Sequence, residues 1–317
     1  MKYENAKLLV EKINEYQNII IAKHIAPDWD AQGSALGLKE IIVNNFKNKN
    51  VYVVGNKLMS AGLFEDEQVL TEDIIKESLM ITVDVANFER IDFSFKDNVK
   101  EIFKIDHHPN VDDYADNSIV DVASIACTQT VVSICEQNNW KISKEAATYL
   151  YYGLITDSGR FLFRKTNEIT FKTAIKLIEC GVDINEVYEN LYSQPLVVAK
   201  WKNRAFNKAK FVEGYPIAYI EIKDEDWQDL SLTEEEVKLS LGTLSGIQEI
   251  LIWFIAYESK VHDAVKVSMR SRQYEVNKVA AVYSGGGHMY AAGAKVKDFK
   301  DVDNLVNDLK KLVDNNL

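Results

Sequence analysis

Several short apolar runs near the start of the chain end in the same chemistry. NIIIAKHI (18–25) runs on into Asp28 and Asp30, LMITVDVAN (79–87) carries Asp84, and EIFKIDHH (101–108) closes on Asp106, His107 and His108. Apolar runs this short, bounded by turn residues, read as buried strands. VYVVG (51–55) and SIVD (118–121) add two more. Helix-period segments lie at 4–16, 31–46, 126–138, 143–156, 168–180 and near 184–192. Strands alternating with helices predict an α/β fold, a parallel sheet with helices on both faces. In such sheets the ligand crevice lies beyond the carboxyl ends of the strands. The acidic and imidazole groups at those ends therefore converge on one place.

The segment 193–210 has no strand character and reads as a connecting helix at a domain boundary. Beyond it, strands are expected at 214–222, 250–257 and 264–270, with helices around 233–244, 275–283 and through DVDNLVNDLKKLVD. This is a second, smaller α/β unit. The expected division is 1–192, 193–210 and 211–317.

Composition sets outer bounds. No apolar run approaches the roughly 20 residues that span a bilayer. The charged N-terminal stretch lacks the apolar core of a secretory signal. The chain therefore reads as a soluble cytoplasmic protein that does not engage a membrane. Three cysteines without CxxC spacing fit a reducing compartment and argue against a thiolate metal site. A net charge of −11 is unsuited to gripping long duplex nucleic acid, which needs excess Lys and Arg to neutralise phosphates. A local basic pocket for a small anion or short oligonucleotide remains compatible with it.

Each polar cluster taken alone has a plain explanation. An Asp after Pro is usually a turn former, and an Asp-His pair is often a satisfied hydrogen bond. Jointly they are harder to dismiss, because buried carboxylates gathered at one site repel one another. Two divalent cations would relieve that repulsion. GLITDSGRF (153–161) adds Asp157 at the end of an apolar helix. Imidazole plus carboxylate without thiolate points to Mn²⁺, Mg²⁺ or Co²⁺ rather than structural zinc. Asp84, arriving alone from a central strand, is the best bridging residue for a pair of ions. Gly33-Ser34 is expected to open a helix and offer Ser34 and free N–H groups to an anion. Of five histidines, only His262 lies outside any motif and is expected at the surface.

In the second unit, DAVKVSMRSR (263–272) alternates, placing Lys266, Ser268, Arg270 and Arg272 on one strand face. Consecutive glycines Gly285, Gly286 and Gly287 could form an anion-binding nest beside His288, and Arg270 could hold a terminal phosphate in bidentate fashion.

HIAPDWDAQGS, VDVAN, DHHPN and GLITDSGRF resemble, in order, the four motifs of the DHH phosphoesterase superfamily, and YSGGGHMYAAGA resembles the signature of the DHH-associated domain. The likeness covers nearly the whole chain and is strongest to the NrnA-type subgroup. It implies a parallel-sheet catalytic DHH domain, a smaller DHH-associated substrate-binding domain and a cleft between them. It implies one metal on His24, Asp28 and Asp84, a second on Asp30, Asp84, His107 and Asp157, and His108 beside the scissile phosphate as substrate contact or proton donor. The implied activity is Mn²⁺-dependent release of 5′-mononucleotides from short single-stranded oligoribonucleotides, with removal of the 3′-phosphate from 3′-phosphoadenosine 5′-phosphate. A capping second domain would favour very short chains. The sequence leaves the oligomeric state open, a homodimer included. Alternatives are a phosphodiesterase for cyclic di-AMP or linear pApA, and an inactive nucleotide sensor, which should lack a ligand. A pyrophosphatase is disfavoured by Pro109 after the two histidines, where those relatives carry Lys. Trp29 departs from the small or polar residue usual between the two aspartates, and is either a packing residue or part of the pocket mouth.

Overall fold

The computed structural model describes residues 2–58, 70–259 and 264–315, with the His288 side chain left out. His262 lies outside the described residues. The chain forms two compact units, 1–193 and 194–317. Among the described residues, no helix is long and apolar enough to cross a membrane.

The first unit begins with α1 (Ala6–Glu15), β1 (Asn18–Ala22), α2 (Trp29–Asn45), β2 (Asn50–Val53) and α3 (Glu72–Lys76). It continues with β3 (Ser78–Val83), β4 (Glu101–Asp106) and β5 (Asn117–Val120), then α4 (Cys127–Asn138), α5 (Lys144–Asp157), α6 (Glu168–Glu179) and α7 (Ile184–Tyr192). The strands form one sheet in the order β2-β1-β3-β4-β5. Every pairing is parallel. β3 is central and buried along its whole length, which is why Leu79, Met80 and Ile81 are apolar in succession rather than alternating with polar residues. Ile19, Ile21, Leu79, Ile81, Phe103 and Ile105 face a core shared with α1, α2, α4 and α5. The opposite face, with Ile20, Ala22 and Met80, is closed by Ile75 of α3 and by the irregular segment carrying Phe88, Phe93 and Tyr114. α1, α2, α4 and α5 thus cover one face rather than both. The strand order reverses between β1 and β3, so the crevice for a ligand opens past their carboxyl ends.

The second unit contains α8 (Leu196–Phe206), β6 (Lys210–Phe211), β7 (Ile217–Ile222), α9 (Glu234–Lys238), β8 (Ile252–Ser259), β9 (Ala264–Ser271), α10 (Val276–Val282), β10 (Gly286–His288), β11 (Ala291–Val296) and α11 (Lys300–Asp314). Its sheet runs β10-β11-β9-β8-β7-β6. Among the described residues of this sheet, only β7 and β8 pair in parallel. One face packs on α10 and α11 through Val265, Val267, Met269, Val302, Leu305 and Leu309. α8 buries Trp201 completely among Ile220, Ile222, Trp253 and Ile255 of the other face. The Trp201 indole donates to the Val237 carbonyl at 3.0 Å. Sequence periodicity passed over β6, β10 and β11, and the helix expected over 233–244 stops at Lys238 and continues as a 3₁₀ turn over Leu239–Leu244.

Candidate functional site

Past the ends of β1, β3 and β4 the chain delivers His24, Asp84 and Asp106-His107-His108. α2 brings Asp28 and Asp30, and the last residue of α5 is Asp157. His24, Asp28 and Asp84 place one donor atom each within 4.8 Å of the others, and so do Asp30, His107 and Asp157. Asp84 connects the two groups. Its Oδ2 lies 3.6 Å from His24 Nε2 and its Oδ1 3.3 Å from His107 Nε2. All six residues expected as ligands are therefore gathered at one place.

Local structure fixes each of them. Asp28 caps α2, its Oδ1 accepting from the N–H groups of Asp30 and Ala31 at 3.0 Å each. That leaves Oδ2 facing His24 Nε2 at 3.7 Å. Asp30 is fully buried and serves as a cap in trans for α4: Oδ2 accepts from Cys127 N–H at 2.6 Å and Oδ1 from Thr128 N–H at 3.0 Å. Ala126, which precedes α4, has no side chain to perform this role. Because the helix starts at Trp29, the expectation that Gly33-Ser34 opens it is corrected. Two of its first free N–H groups are taken by Asp28, and Gly33 and Ser34 lie buried in its interior.

Gly153 on α5 is what lets Asp30 and Asp157 come together. A Cβ there would stand 2.7 Å from Asp30 Oδ1 and 2.5 Å from Thr128 Cγ2. Asp84 itself sits at φ +60°, a left-handed conformation that a non-glycine residue adopts at a cost. Its Oδ1 is buried and has no hydrogen-bond partner among the described residues.

The histidine tautomers can be read from their second nitrogens. His24 Nδ1 is 3.0 Å from the Ile25 carbonyl, and His107 Nδ1 is 3.4 Å from that of Ser124. A carbonyl only accepts, so Nδ1 carries the proton and Nε2 turns its lone pair toward the carboxylates. His107 Nε2 also lies 3.7 Å from Asp30 Oδ2 and from Asp157 Oδ2. Lone pairs facing lone pairs is a repulsive arrangement that a proton or a cation resolves. Nitrogen donors locked in this way are the usual form of a metal-ligating histidine.

The electrostatics agree. Burial, then the charges of Asp30 and Asp28, pushes Asp84 well above the carboxylate range. Burial and the neighbouring aspartates Asp30, Asp28 and Asp84 push Asp157 up to about 9. Burial raises Asp30 as well, against the opposing charge of His107. Without a cation the carboxylates cannot all ionise together at neutral pH.

His108 stands beside both groups, its Nδ1 3.5 Å from Asp84 Oδ1 and its donor atom within 4.8 Å of those of Asp84 and His107, and it is oriented by a network that sequence motifs alone left unread. Its Nδ1 is 2.9 Å from Asp106 Oδ1, which also accepts from the His107 N–H at 2.8 Å. Behind Asp106 stands Lys104, a fully buried ammonium 3.5 Å from Asp106 Oδ2. It donates to the Ala86 carbonyl at 3.0 Å and Asn110 Oδ1 at 3.3 Å, with the Tyr114 ring 4.9 Å away. Burial alone would raise Asp106, but His108 and Lys104 outweigh it and hold it below its ordinary value. An anionic Asp106 fixes the Nδ1–H tautomer of His108 and leaves the lone pair on Nε2. The sequence clue was a lysine in the middle of an otherwise apolar strand, EIFKID. Trp29, between the two aspartates, stacks on Tyr152 of α5 with ring centroids 4.6 Å apart.

In the second unit Arg270 lies on β9, its Nη1 donating to the Met269 carbonyl at 2.9 Å. Arg272 instead donates to the Ile247 carbonyl. Gly286 and Gly287 pair with Gly293 and Ala292 in a β10–β11 hairpin. Gly287 sits at φ +139°, and a Cβ there would press 2.5 Å from the Ala291 carbonyl oxygen, so close strand approach is one reason for this glycine. The His288 backbone closes β10.

Comparison with known proteins agrees with this arrangement. Residues 18–154 match the DHH family N-terminal domain, and residues 214–315 match the DHHA1 domain. The chain is 32% identical over 307 residues to the bifunctional oligoribonuclease and PAP phosphatase NrnA of Bacillus subtilis, covering 96% of this chain and 97% of that protein. It is 33% identical over 322 residues to the protein of the same name from Mycoplasma genitalium, covering 99% of this chain and all of that one. An exopolyphosphatase-related protein from Bacteroides fragilis shares the fold at a TM-score of 0.86 and 21% identity, over 98% of this chain and 96% of that one. With a DHH domain followed by a DHHA1 domain, and the motif residues of the first gathered at its strand ends, the chain belongs to the DHH family.

Proposed function

We propose that this protein is a phosphoesterase dependent on two divalent metal ions, probing very short RNA: it releases 5′-mononucleotides from short oligoribonucleotides and removes the 3′-phosphate from 3′-phosphoadenosine 5′-phosphate. The observation that carries this reading is the pair of donor groups joined through Asp84. His24, Asp28 and Asp84 would hold one ion, and Asp30, Asp84, His107 and Asp157 the other. Oxygen and imidazole donors without thiolate favour Mn²⁺. Such a pair supplies Lewis acidity and a water made acidic enough to attack at neutral pH.

The chain's own residues complete the chemistry. His108, with Nδ1–H held on Asp106, presents Nε2 to the scissile phosphate or the leaving oxygen. Lys104 keeps Asp106 anionic and thereby keeps that orientation. In the second unit, Arg270, the Gly285-Gly286-Gly287 backbone and His288 would bind a substrate phosphate or base. The full-length likeness to relatives named as oligoribonuclease and PAP phosphatase supports the substrate class.

The test is parallel turnover, with Mn²⁺, of a pentaribonucleotide, 3′-phosphoadenosine 5′-phosphate, pApA and cyclic di-AMP. Faster turnover of the first two than of cyclic di-AMP is expected. Preferential turnover of cyclic di-AMP would overturn the substrate assignment, and inactivity on all four would overturn the reading as an enzyme of this class.

A further inference from the structure

One face of the second unit's sheet is only half covered. On β7 and β8, Ala218, Ile220, Ile222, Trp253, Ile255 and Tyr257 lie under the helical segments of that unit. On β9 and β11 the same face carries Lys266, Ser268 and Arg270 against Lys295, Gly293 and Ala291. The register sets Lys266 directly opposite Lys295. Side chains so placed have Cβ atoms only about 5 Å apart, and like charges there destabilise a sheet.

A chain with 48 acidic and 37 basic residues has ample carboxylates to relieve such a pair. Among the described residues neither lysine has an ion-pair partner. Glu234, an acid reaching the Ser259 end of this face, is engaged with the Ser259 hydroxyl at 3.1 Å.

The floor between the basic positions is bare. Ser268 faces Gly293, and Gly293 faces Gly286, at which a Cβ would meet nothing within 4 Å. Arg270 and Lys266 are four residues apart on one strand, which puts their Cα atoms about 13 Å from each other. Arg270 donates to the Met269 carbonyl of its own strand at 2.9 Å. The face therefore presents a cation at each end of a lane without bulky side chains.

We infer that Lys266 and Lys295 together form a second phosphate subsite, which takes a phosphate of a short polyanionic strand whose other phosphate is held at Arg270. This rests on the proposed function for the identity of the strand, and it adds a length dependence: longer oligonucleotides reach the lysine pair, whereas a single nucleotide engaged at Arg270 does not. An open lane with two separated cations also explains how a strongly acidic protein holds an acidic substrate.

The experiment compares the wild-type protein with Lys266→Gln/Lys295→Gln on a pentaribonucleotide and on 3′-phosphoadenosine 5′-phosphate. The pentanucleotide KM is expected to rise about tenfold with kcat within about twofold, while the mononucleotide kinetics stay unchanged. Binding of a fluorescent pentanucleotide in EDTA, followed by anisotropy against salt, should lose about 1.4 from its log–log slope, about 0.7 for each lysine. An unchanged slope removes the subsite, and so does an equal rise in KM for both substrates. If the wild-type protein cleaves neither substrate, the proposed function fails, and the slope in EDTA still decides the subsite on its own.

Discussion

Both units gather ionisable side chains on a β-sheet, but at different points along the strands. In the N-terminal sheet they stand past the carboxyl ends of β1, β3 and β4, where Asp30 is fully buried and Asp84 nearly so. In the C-terminal sheet they stand midway along β9 and β11, on a half-covered face. A strand-end residue is fixed by caps, turns and helix starts. Asp28 and Asp30 hold two helix N-termini between them, and Asp84 holds a left-handed backbone. A mid-strand residue is fixed by register alone, and its long side chain keeps its freedom. The first arrangement suits chemistry, in which a displacement of an ångström is costly. The second suits affinity, which accumulates in steps as each cation meets a phosphate.

The most direct way to break this contrast is Asp84→Ala. Asp84 faces both donor groups, so turnover of a dinucleotide with Mn²⁺ should fall by about a thousandfold or more. The metal-free protein should melt at the same temperature or higher, because the change removes a buried carboxylate repelled by Asp30 and Asp28. Retained turnover would end the reading of Asp84 as the shared ligand. Asp106→Asn comes next. It keeps the shape but removes the charge that fixes His108, and kcat should fall about 10- to 100-fold with KM little changed. A change confined to KM would place Asp106 in substrate binding instead.

The parts of this contrast that could be read from the sequence were those carried by periodicity and residue type. Apolar runs ending in Asp or His located β1, β3 and β4 and the crevice beyond them, and clean alternation located β9. What stayed hidden depends on contacts between distant segments. Nothing local says that Asp30 will cap α4, or that Gly153 is small because Asp30 lies against it. Lys104 looked like an interruption of a strand until its burial against Asp106 gave it a partner. Trp29, unexplained by any motif, packs on Tyr152. The glycine run 285–287 carries no β signal, yet Gly286 and Gly287 form a strand edge.

The pH dependence of stability sharpens the comparison from the electrostatic side. Asp30, Asp84 and Asp157 have folded-state values raised above the ordinary carboxylate range. The folded metal-free protein therefore holds more protons than the unfolded chain between about pH 4 and the folded value, which for Asp157 is about 9. Their contribution is fully present below that window and is lost as pH rises through it. The melting temperature of the metal-free protein should fall as pH rises from 5 to 9, within about that range. Saturating Mn²⁺ should flatten the profile, since a bound cation replaces the protons. A metal-free profile that rises over the same interval would mean that these carboxylates ionise more readily in the folded protein than in the unfolded chain, with a protein counter-charge already beside them.

The smallest effect belongs to the second unit. Arg270→Ala removes one exposed cation from a sheet face and leaves the register of β9 with β8 and β11 intact. Its guanidinium donates to the Met269 carbonyl of its own strand. Loss of a phosphate contact made equally in the ground state and the transition state raises KM and spares kcat. We expect a KM about tenfold higher on an oligonucleotide, with kcat within about twofold and an unchanged melting temperature. Arg270→Lys should recover only part of this, because an ammonium keeps the charge but loses the two-pronged geometry that matches a phosphate. If Arg270→Ala instead lowered kcat by orders of magnitude at unchanged KM, the mid-strand cation would be acting on the reacting phosphate itself. The division between a unit that performs the chemistry and a unit that gathers the substrate would then have to be abandoned.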